Sequence, residues 1–265
     1  MEGPEKAIGL FEISYSSGYR SLLSGYWLAL ALYETGDYQR AGEIWRTIGV
    51  ASKVAQRLRW QAYYALSQGE NAQAQRLLEH AVAVAPSPSL YKDLADFYLY
   101  YSEPRQPEKA AQVFEKIAMI SNEPAVMAYA LGRAALIRGK EDEAIVWFNK
   151  AVLADSLNPS YWYFLGLGFL AKQDVVSAKR VLKQAYFLSE KDGSIFSLWA
   201  SVMLGDISLQ HQQWTEAVFW YCNAVKDSRA SSEVWRKAVT ACSYFQPLKV
   251  MPPLCCGALE VQSSK

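Results

Sequence analysis

The sequence has little of several features that mark specialised classes of protein. Its 27 basic and 26 acidic residues nearly cancel, which leaves a formal net charge of +1 over 265 residues. Charges of both signs are scattered along the chain, so neither intrinsic disorder nor the basic footprint of a duplex-binding protein is indicated. The longest apolar stretch, residues 161–171, is about half of the roughly 20 residues that a membrane-spanning helix needs. We therefore expect a globular chain with no nucleic-acid partner and no direct membrane span.

Residues suited to catalysis or metal binding are equally scarce. The chain has two histidines, His80 and His211, and neither has a metal-binding partner at a helical spacing. Neither a GxxxxGK nor a GxGxxG phosphate-binding pattern occurs. The carboxylates of residues 141–143 fall at a predicted helix start, where they complement the helix dipole. We expect no enzymatic activity, no metal and no cofactor.

The four cysteines all lie in the last fifth of the chain. Cys222 and Cys242 fall within apolar helical patterns, which favours buried thiols that act as small hydrophobic residues. Cys255 and Cys256 follow a proline pair, so we expect them to be accessible in a loose tail. No Cys-x-x-Cys pair is present, and a zinc site therefore has no ligand set.

What the sequence does contain is a recurring helical phrase. A small residue is followed four positions later by a large apolar residue, and three positions after that by a small or aliphatic one. These spacings put all three residues on one face of a helix. The leading alanines are separated by 34, 33, 36, 34, 34 and 39 residues. The copies are Ala7/Phe11/Ser14, Ala41/Trp45/Ile48, Ala74/Leu78/Ala81, Ala110/Phe114/Ile117, Ala144/Phe148/Ala151, Ala178/Leu182/Ala185 and Ala217/Tyr221/Ala224.

A second helical phrase, Leu followed by Ala or Gly, precedes most of these copies. A glycine turn signal lies between the two phrases at Gly36, Gly69 and Gly139, and glycine ends a helix cheaply in the left-handed conformation. Each unit is therefore an antiparallel helix pair, in which the small residue lets the two backbones approach. One pair cannot bury both of its apolar faces, so neighbouring pairs must stack.

This phrase, its period and its turn resemble the tetratricopeptide repeat, over roughly Glu5 to Tyr244. The resemblance implies an all-α fold, a right-handed superhelical solenoid of antiparallel helix pairs. Gln173 and Gln212 stand at turns where the family usually has glycine. The last repeat interval has about five extra residues, which we expect to lengthen a first helix over 194–211.

The repeat also predicts how the chain is organised. We expect a half repeat or N-terminal cap over residues 1–17, six helix pairs over 18–230, a capping helix over 231–245 and a flexible tail over 246–265. The half repeat has two interpretations, a cut within a larger protein or a natural cap. Residues 1–5 lack the basic and apolar regions of a signal peptide, which favours a cytoplasmic location, but a chain that starts mid-repeat leaves the compartment open.

The resemblance implies that the first helices of the pairs line a concave binding surface. Tyrosine and arginine dominate the energetics of many protein interfaces, and they recur among the residues that the resemblance assigns to this surface. The alternative is that the tyrosines only fill gaps between helices. The family's clamp for a terminal carboxylate is unsupported, because Leu30, Tyr63 and Arg133 stand where its asparagine would be. The predicted binding residues are Tyr26, Tyr33, Arg59, Tyr63, Lys92, Tyr129, Arg133 and Tyr163.

Three functions follow from these observations. The first is a protein–protein interaction scaffold that binds a peptide or a partner domain in the concave groove. The second is a soluble repeat arm or assembly subunit of a larger membrane-associated or glycan-handling protein, which fits a half-repeat start. The third is an enzyme with a site that the sequence does not reveal. The residues themselves favour the first function.

Overall fold

The computed structural model describes residues 4–16 and 22–245, and these are helical apart from short connections. No β-strand occurs in these two segments. The chain divides into two compact units, unit 1 over Met1–Asn122 and unit 2 over Glu123–Lys265. The predicted all-α, tetratricopeptide-like solenoid of consecutive helix pairs is confirmed.

Unit 1 contains α1 (Pro4–Ser16), α2 (Leu22–Glu34), α3 (Tyr38–Thr47), α4 (Ala51–Ser67), α5 (Asn71–Val84), α6 (Pro88–Tyr100) and α7 (Pro107–Ile120). Unit 2 contains α8 (Pro124–Ile137), α9 (Glu141–Ala154), α10 (Pro159–Ala171), α11 (Val175–Asp192), α12 (Ile195–Gln210), α13 (Trp214–Ala224) and α14 (Ser232–Phe245).

Many of these helices begin at a residue that caps the backbone. The side chains of Asp37, Ser87 and Asp174 accept hydrogen bonds from N–H groups in the first turns of α3, α6 and α11. These bonds satisfy donors that a helix start otherwise leaves without a partner. Proline opens α6, α7, α8 and α10, where its missing N–H costs nothing.

Left-handed residues end the first helices α2, α4, α8, α10 and α12. Gly36, Gly69 and Gly139 have φ angles of 93°, 77° and 67°. Gln173 and Gln212 adopt the same conformation, with φ of 64° and 55°, where the family pattern has glycine. A side chain in this region meets the backbone, so these two turns carry a local strain that a glycine turn avoids.

Each helix pair is closed by a small residue against a large one. A Cβ atom added to Gly132 of α8 would lie 2.6 Å from the Phe148 ring of α9, so only glycine fits there. The same close approach joins Gly166 to Leu182 and Gly205 to Tyr221, each at 2.7 Å. The large residues of the recurring phrase are buried from the second copy onward: Trp45, Leu78, Phe114, Phe148, Leu182 and Tyr221. The phrase therefore marks the centre of each pair.

The extra residues of the last repeat interval are shared by two helices. The first helix α12 has 16 residues, close to the predicted 194–211. The preceding second helix α11 is also long, with 18 residues against 14 in α9. Within the described segments no helix is both long enough and apolar enough to cross a membrane.

Unit 1 is stacked differently from unit 2 at one point. In unit 2 the second helices α9, α11 and α13 pack along the first helices that follow them, α10, α12 and α14. In unit 1, α3 barely touches α4 and packs instead against α5. Arg46 of α3 donates hydrogen bonds to the carbonyl oxygens of Ala83 and Val84 at 3.3 and 2.8 Å. A Cβ atom on Gly42 would lie 2.9 Å from the same Ala83 oxygen, so this approach is tight.

The prediction that Cys222 and Cys242 are thiols is wrong. Both side chains are buried in the packing of α13 and α14, as expected, but both are disulfide-bonded. A helical pattern indicates burial, whereas a disulfide depends on how closely another sulfur approaches in three dimensions. Cys255, Cys256 and the rest of the predicted tail lie outside the described residues.

Candidate partner-binding surface

Helix α2 of unit 1 holds two of the predicted binding residues, Tyr26 and Tyr33, in partly buried aromatic packing. The Tyr33 hydroxyl is hydrogen-bonded to Nδ1 of His80 at 2.8 Å, and its ring contacts Tyr38 and Trp45. Burial, with a smaller contribution from Tyr38, raises the pKa of Tyr33 to about 12. Tyr26 contacts Trp45 more loosely, at 6.4 Å between ring centroids. Tyr33 therefore links α2 to α5 and presents only part of its side chain to solvent.

His80 is held by the same packing. It is stacked on Tyr38 with 3.6 Å between ring centroids, and burial lowers its pKa. The second histidine, His211, ends α12. Within the described segments no group of three or more His, Cys, Asp or Glu side chains has a metal-binding arrangement.

Arg59 and Tyr63 of α4 are joined to α6 by a carboxylate. Nε of Arg59 donates to Oδ2 of Asp93 at 2.5 Å and to the Tyr63 hydroxyl at 3.2 Å. Partial burial opposes the charge on Arg59, but the bond to Asp93 outweighs it and the net effect is a raised pKa. Burial, followed by the contribution of Asp93, also raises the pKa of Tyr63. Along α6, Lys92 pairs with Asp96 at 2.8 Å. These side chains form an ordered polar row on the first helices of unit 1.

Tyr129 and Arg133, which the resemblance assigns to an open groove, are buried. Their exposed fractions are 7% and 3%. Nη1 of Arg133 donates to the Tyr129 hydroxyl at 2.7 Å, and the guanidinium lies 4.2 Å from the centre of the Phe164 ring. The prediction that these two form an exposed binding surface is therefore not met, because Phe164 of α10 packs against both. Helical spacing predicts which face of α8 carries Tyr129 and Arg133. It does not predict that a side chain of the neighbouring helix covers that face.

Tyr163 is the unit 2 residue of the predicted set that reaches the surface, and it belongs to an aromatic cluster. Its ring centroid lies 5.5 Å from that of Phe196 and 5.7 Å from that of Trp199, and these two are 5.1 Å apart. Trp199 is 42% exposed, and the other two are partly exposed. We call Tyr163, Phe196 and Trp199 the unit 2 aromatic cluster. It spans two successive first helices, α10 and α12.

Sequence reasoning missed two members of this cluster. Phe196 lies in the first turn of α12, before the part of that helix that aligns with the shorter α8 and α10, and Trp199 lies near the start of the aligned part. The available signal was the extra length of the repeat, together with aromatic residues three positions apart at the predicted helix start.

A second exposed surface, which sequence reasoning also missed, lies on α4. We call the exposed side of this helix from Lys53 to Tyr64 the α4 outward face. Trp60 and Tyr64 are 63% and 68% exposed, and the basic side chains Lys53 and Arg57 lie beside them. An open cavity of about 760 Å³ is lined by Ser52, Lys53, Gln56, Arg57, Trp60, Gln61 and Tyr64. The spacing of these residues puts them all on one side of the helix.

Comparison with known proteins finds similar solved structures but no matching sequence family. No family model matches the sequence, and no curated protein matches it either. Many solved structures are similar to the chain. A thermophilic TPR protein of Thermus thermophilus has a TM-score of 0.59 at 16% identity, over 71% of this chain and 98% of that one. A tetratricopeptide repeat protein of Parabacteroides merdae has a TM-score of 0.57 at 12% identity, over 90% and 92%. The assembly chaperone of RpL4, Acl4, has a TM-score of 0.50 at 16% identity, over 87% and 97%.

Proposed function

Because this chain has the tetratricopeptide-repeat fold, we propose that it is a protein-interaction scaffold that holds a partner polypeptide on the first helices of its repeats. A stack of helix pairs exposes one side chain row per repeat along a continuous surface, which suits the recognition of an extended or helical segment. Acl4, which has a similar fold, is described as an assembly chaperone of another protein, and a scaffold role of that general kind fits this chain.

The unit 2 aromatic cluster is the observation that carries this proposal. Large aromatic side chains gain much from being buried against a partner and lose little conformational entropy, since each has few rotatable bonds. Three of them in mutual contact, with Trp199 42% exposed, form a pre-ordered apolar surface. Such clusters are typical of the centres of protein interfaces.

The predicted unit 1 residues extend the proposed surface within their own unit. Tyr26, Tyr33, Arg59, Tyr63 and Lys92 are at least partly exposed, and Arg59 is already oriented by Asp93. An oriented guanidinium loses less freedom when it binds a partner. Tyr129 and Arg133 are left out of the contact surface because they are buried.

The proposed role is non-catalytic, and the partner is a protein. His80 is held in aromatic packing rather than beside a nucleophile, and His211 serves as a helix end. Strong binding to nucleic acid generally rests on many basic contacts to phosphates, and a net charge of +1 does not favour it.

The proposal is tested by removing the aromatic cluster. The full chain is used to recover its partner, and the affinity is then measured for the wild type and for a double variant, Tyr163→Ala with Trp199→Ala. We expect the double variant to bind at least about tenfold more weakly, as is typical when central aromatic residues are truncated.

Phe219→Ala is the matched control. Phe219 is 55% exposed on the second helix α13, so its loss should leave the affinity unchanged. Circular dichroism should show equal helicity in all three proteins. Equal affinities of the double variant and the wild type would reject the first-helix surface as the binding site.

A further inference from the structure

The α4 outward face is open at Tyr64, a position that is buried in the other repeats, and at Trp60, whose equivalent in α10 is buried. Trp60 stands two residues before the small residue at the helix crossing, Ala62, and Tyr64 stands two residues after it. The same two positions in α10 are Phe164 and Gly168, and both are buried. The exposure of Tyr64 is therefore a departure from the pattern of the chain itself, and Trp60 adds a large exposed ring one turn before it.

In unit 2 this face of a first helix is covered by the preceding second helix. A Cβ atom on Gly168 would lie 3.1 Å from Ile145 of α9, which precedes α10. In α12 the corresponding Ile207 is buried in a cluster with Leu182 and Ala185 of α11. An apolar helix face thus normally lies against these positions.

In unit 1 the helix that would cover α4 is held elsewhere. The preceding second helix, α3, is tied to the end of α5 by Arg46 and by the close approach of Gly42. It touches α4 only marginally. The α4 outward face, from Lys53 to Tyr64, is about three helical turns long, which matches a helix of roughly a dozen residues.

The charge on this face indicates what kind of helix fits. α4 contains three basic residues and no acidic one. Arg59 is paired with Asp93, whereas Lys53 and Arg57 form no ion pair with any residue in the described segments. A helix with carboxylates beside its apolar stripe would contact Trp60 and Tyr64 and would neutralise both cations.

We propose that the α4 outward face binds an acidic amphipathic helix of a partner protein. The apolar stripe of that helix packs on Trp60 and Tyr64, and its acidic side chains pair with Lys53 and Arg57. A nucleic acid fits less well, because two cations on one helix neutralise far fewer phosphates than such complexes use. This inference rests on the proposed function and names the class of partner for one surface of unit 1.

Two synthetic helical peptides test the proposal. They share a leucine stripe at positions i, i+3, i+4 and i+7, and they differ only in carrying glutamate or lysine beside it. Binding to the full chain is followed by the fluorescence anisotropy of a label on the peptide. We expect the glutamate peptide to bind at least about tenfold more tightly than the lysine peptide, with a difference that shrinks as salt is added.

Variants place the binding on α4. Trp60→Ala with Tyr64→Ala should weaken binding of the glutamate peptide by about tenfold or more, whereas Tyr100→Ala, a control at a 60% exposed tyrosine of α6, should not. Lys53→Glu with Arg57→Glu should reverse the preference in favour of the lysine peptide. Because these side chains are on the surface, circular dichroism should show unchanged helicity in every variant.

Several outcomes would overturn the proposal. These are equal binding of the two peptides, insensitivity to the Trp60 and Tyr64 changes, tighter binding of a labelled single-stranded oligonucleotide at this face, or a dimer of this chain that the Trp60 change dissociates. The two proposals fail separately. If partner binding depends on Tyr163 and Trp199 but the glutamate peptide does not bind, the scaffold function survives and only this inference is lost. If the peptide binds at Trp60 but no partner depends on Tyr163 and Trp199, the unit 2 aromatic cluster is rejected as a binding site and the inference about the α4 outward face survives.

Discussion

Trp60 in unit 1 and Phe164 in unit 2 occupy the same position in their repeats, yet Trp60 is 63% exposed and Phe164 is 7% exposed. Both lie two residues before the small residue of the helix crossing, and both are aromatic. What differs is the preceding second helix, which lies along α10 in unit 2 but is drawn away from α4 in unit 1. For this pair of residues, the repeat position fixes which side of the helix each lies on, while the docking of the preceding helix separates core from surface.

The sharpest test of this comparison is truncation at the two equivalent positions. Phe164→Ala should lower the free energy of unfolding by roughly 3–5 kcal/mol, because it removes a buried ring from under Arg133. Trp60→Ala should change it by no more than about 0.5 kcal/mol, as an exposed side chain does. Urea unfolding followed by circular dichroism measures both. Similar losses for the two variants would mean that the α4 outward face is covered in solution.

A second test probes how tightly the pairs of unit 2 are closed. Gly132→Ala should destabilise the protein by about 1–2 kcal/mol, since strain against the Phe148 ring exceeds the gain in helix propensity. Gly9→Ala in α1, where an added Cβ meets no atom within 4 Å, is the control and should stabilise by about 0.5–1 kcal/mol. Thermal melts of the two variants should shift in opposite directions. A stabilised Gly132→Ala variant would show that the crossing has room.

A third test measures how stability depends on pH through Tyr161. This residue of α10 occupies the repeat position that Arg57 has in α4. Burial, and then the charge of Asp155, raise the pKa of Tyr161 to about 12. Folding favours the neutral phenol, so its contribution is complete below about pH 10 and is lost as the pH rises toward 12. The loss should reach roughly 1.4 kcal/mol by pH 11. Urea unfolding between pH 8 and pH 11 should show a shallower decline for Tyr161→Phe than for the wild type, and parallel curves would contradict the assignment.

The smallest expected effect compares the turns of the two units. Unit 1 uses Gly36 and Gly69 in the left-handed conformation, and unit 2 uses Gln173 and Gln212 at two of its turns. Gln173→Gly and Gln212→Gly should each stabilise the protein by about 0.5–1 kcal/mol, because glycine adopts this conformation without a steric cost. The reciprocal change, Gly69→Gln, should destabilise by a similar amount. Melting temperatures that move the other way would show that the glutamine side chains make compensating contacts.

The repeat pattern predicted most of the fold because its key contacts are local in sequence. Phe148 and the small residues around it lie within one helix pair, and the spacing alone puts them in the core. Tyr129 and Arg133 could not be placed in this way, since their burial depends on a ring from the next repeat. The α4 outward face was missed for the same reason: the path of α3 is set by contacts with α5, which no spacing within α3 or α4 records.

The attachment of α3 to α5 also bears on how the molecule loses structure. In a linear array of repeats, cooperativity passes through the interfaces between neighbours, and the weakest interface sets where the array separates first. Because α3 and α4 share so little surface, α1, α2 and α3 are coupled to the rest of unit 1 chiefly through the contacts of α3 and Tyr33 with α5. A loss of the contact between α3 and α5 would therefore release these three helices together. Their amide hydrogens should exchange with solvent earlier than those of α6 and α7.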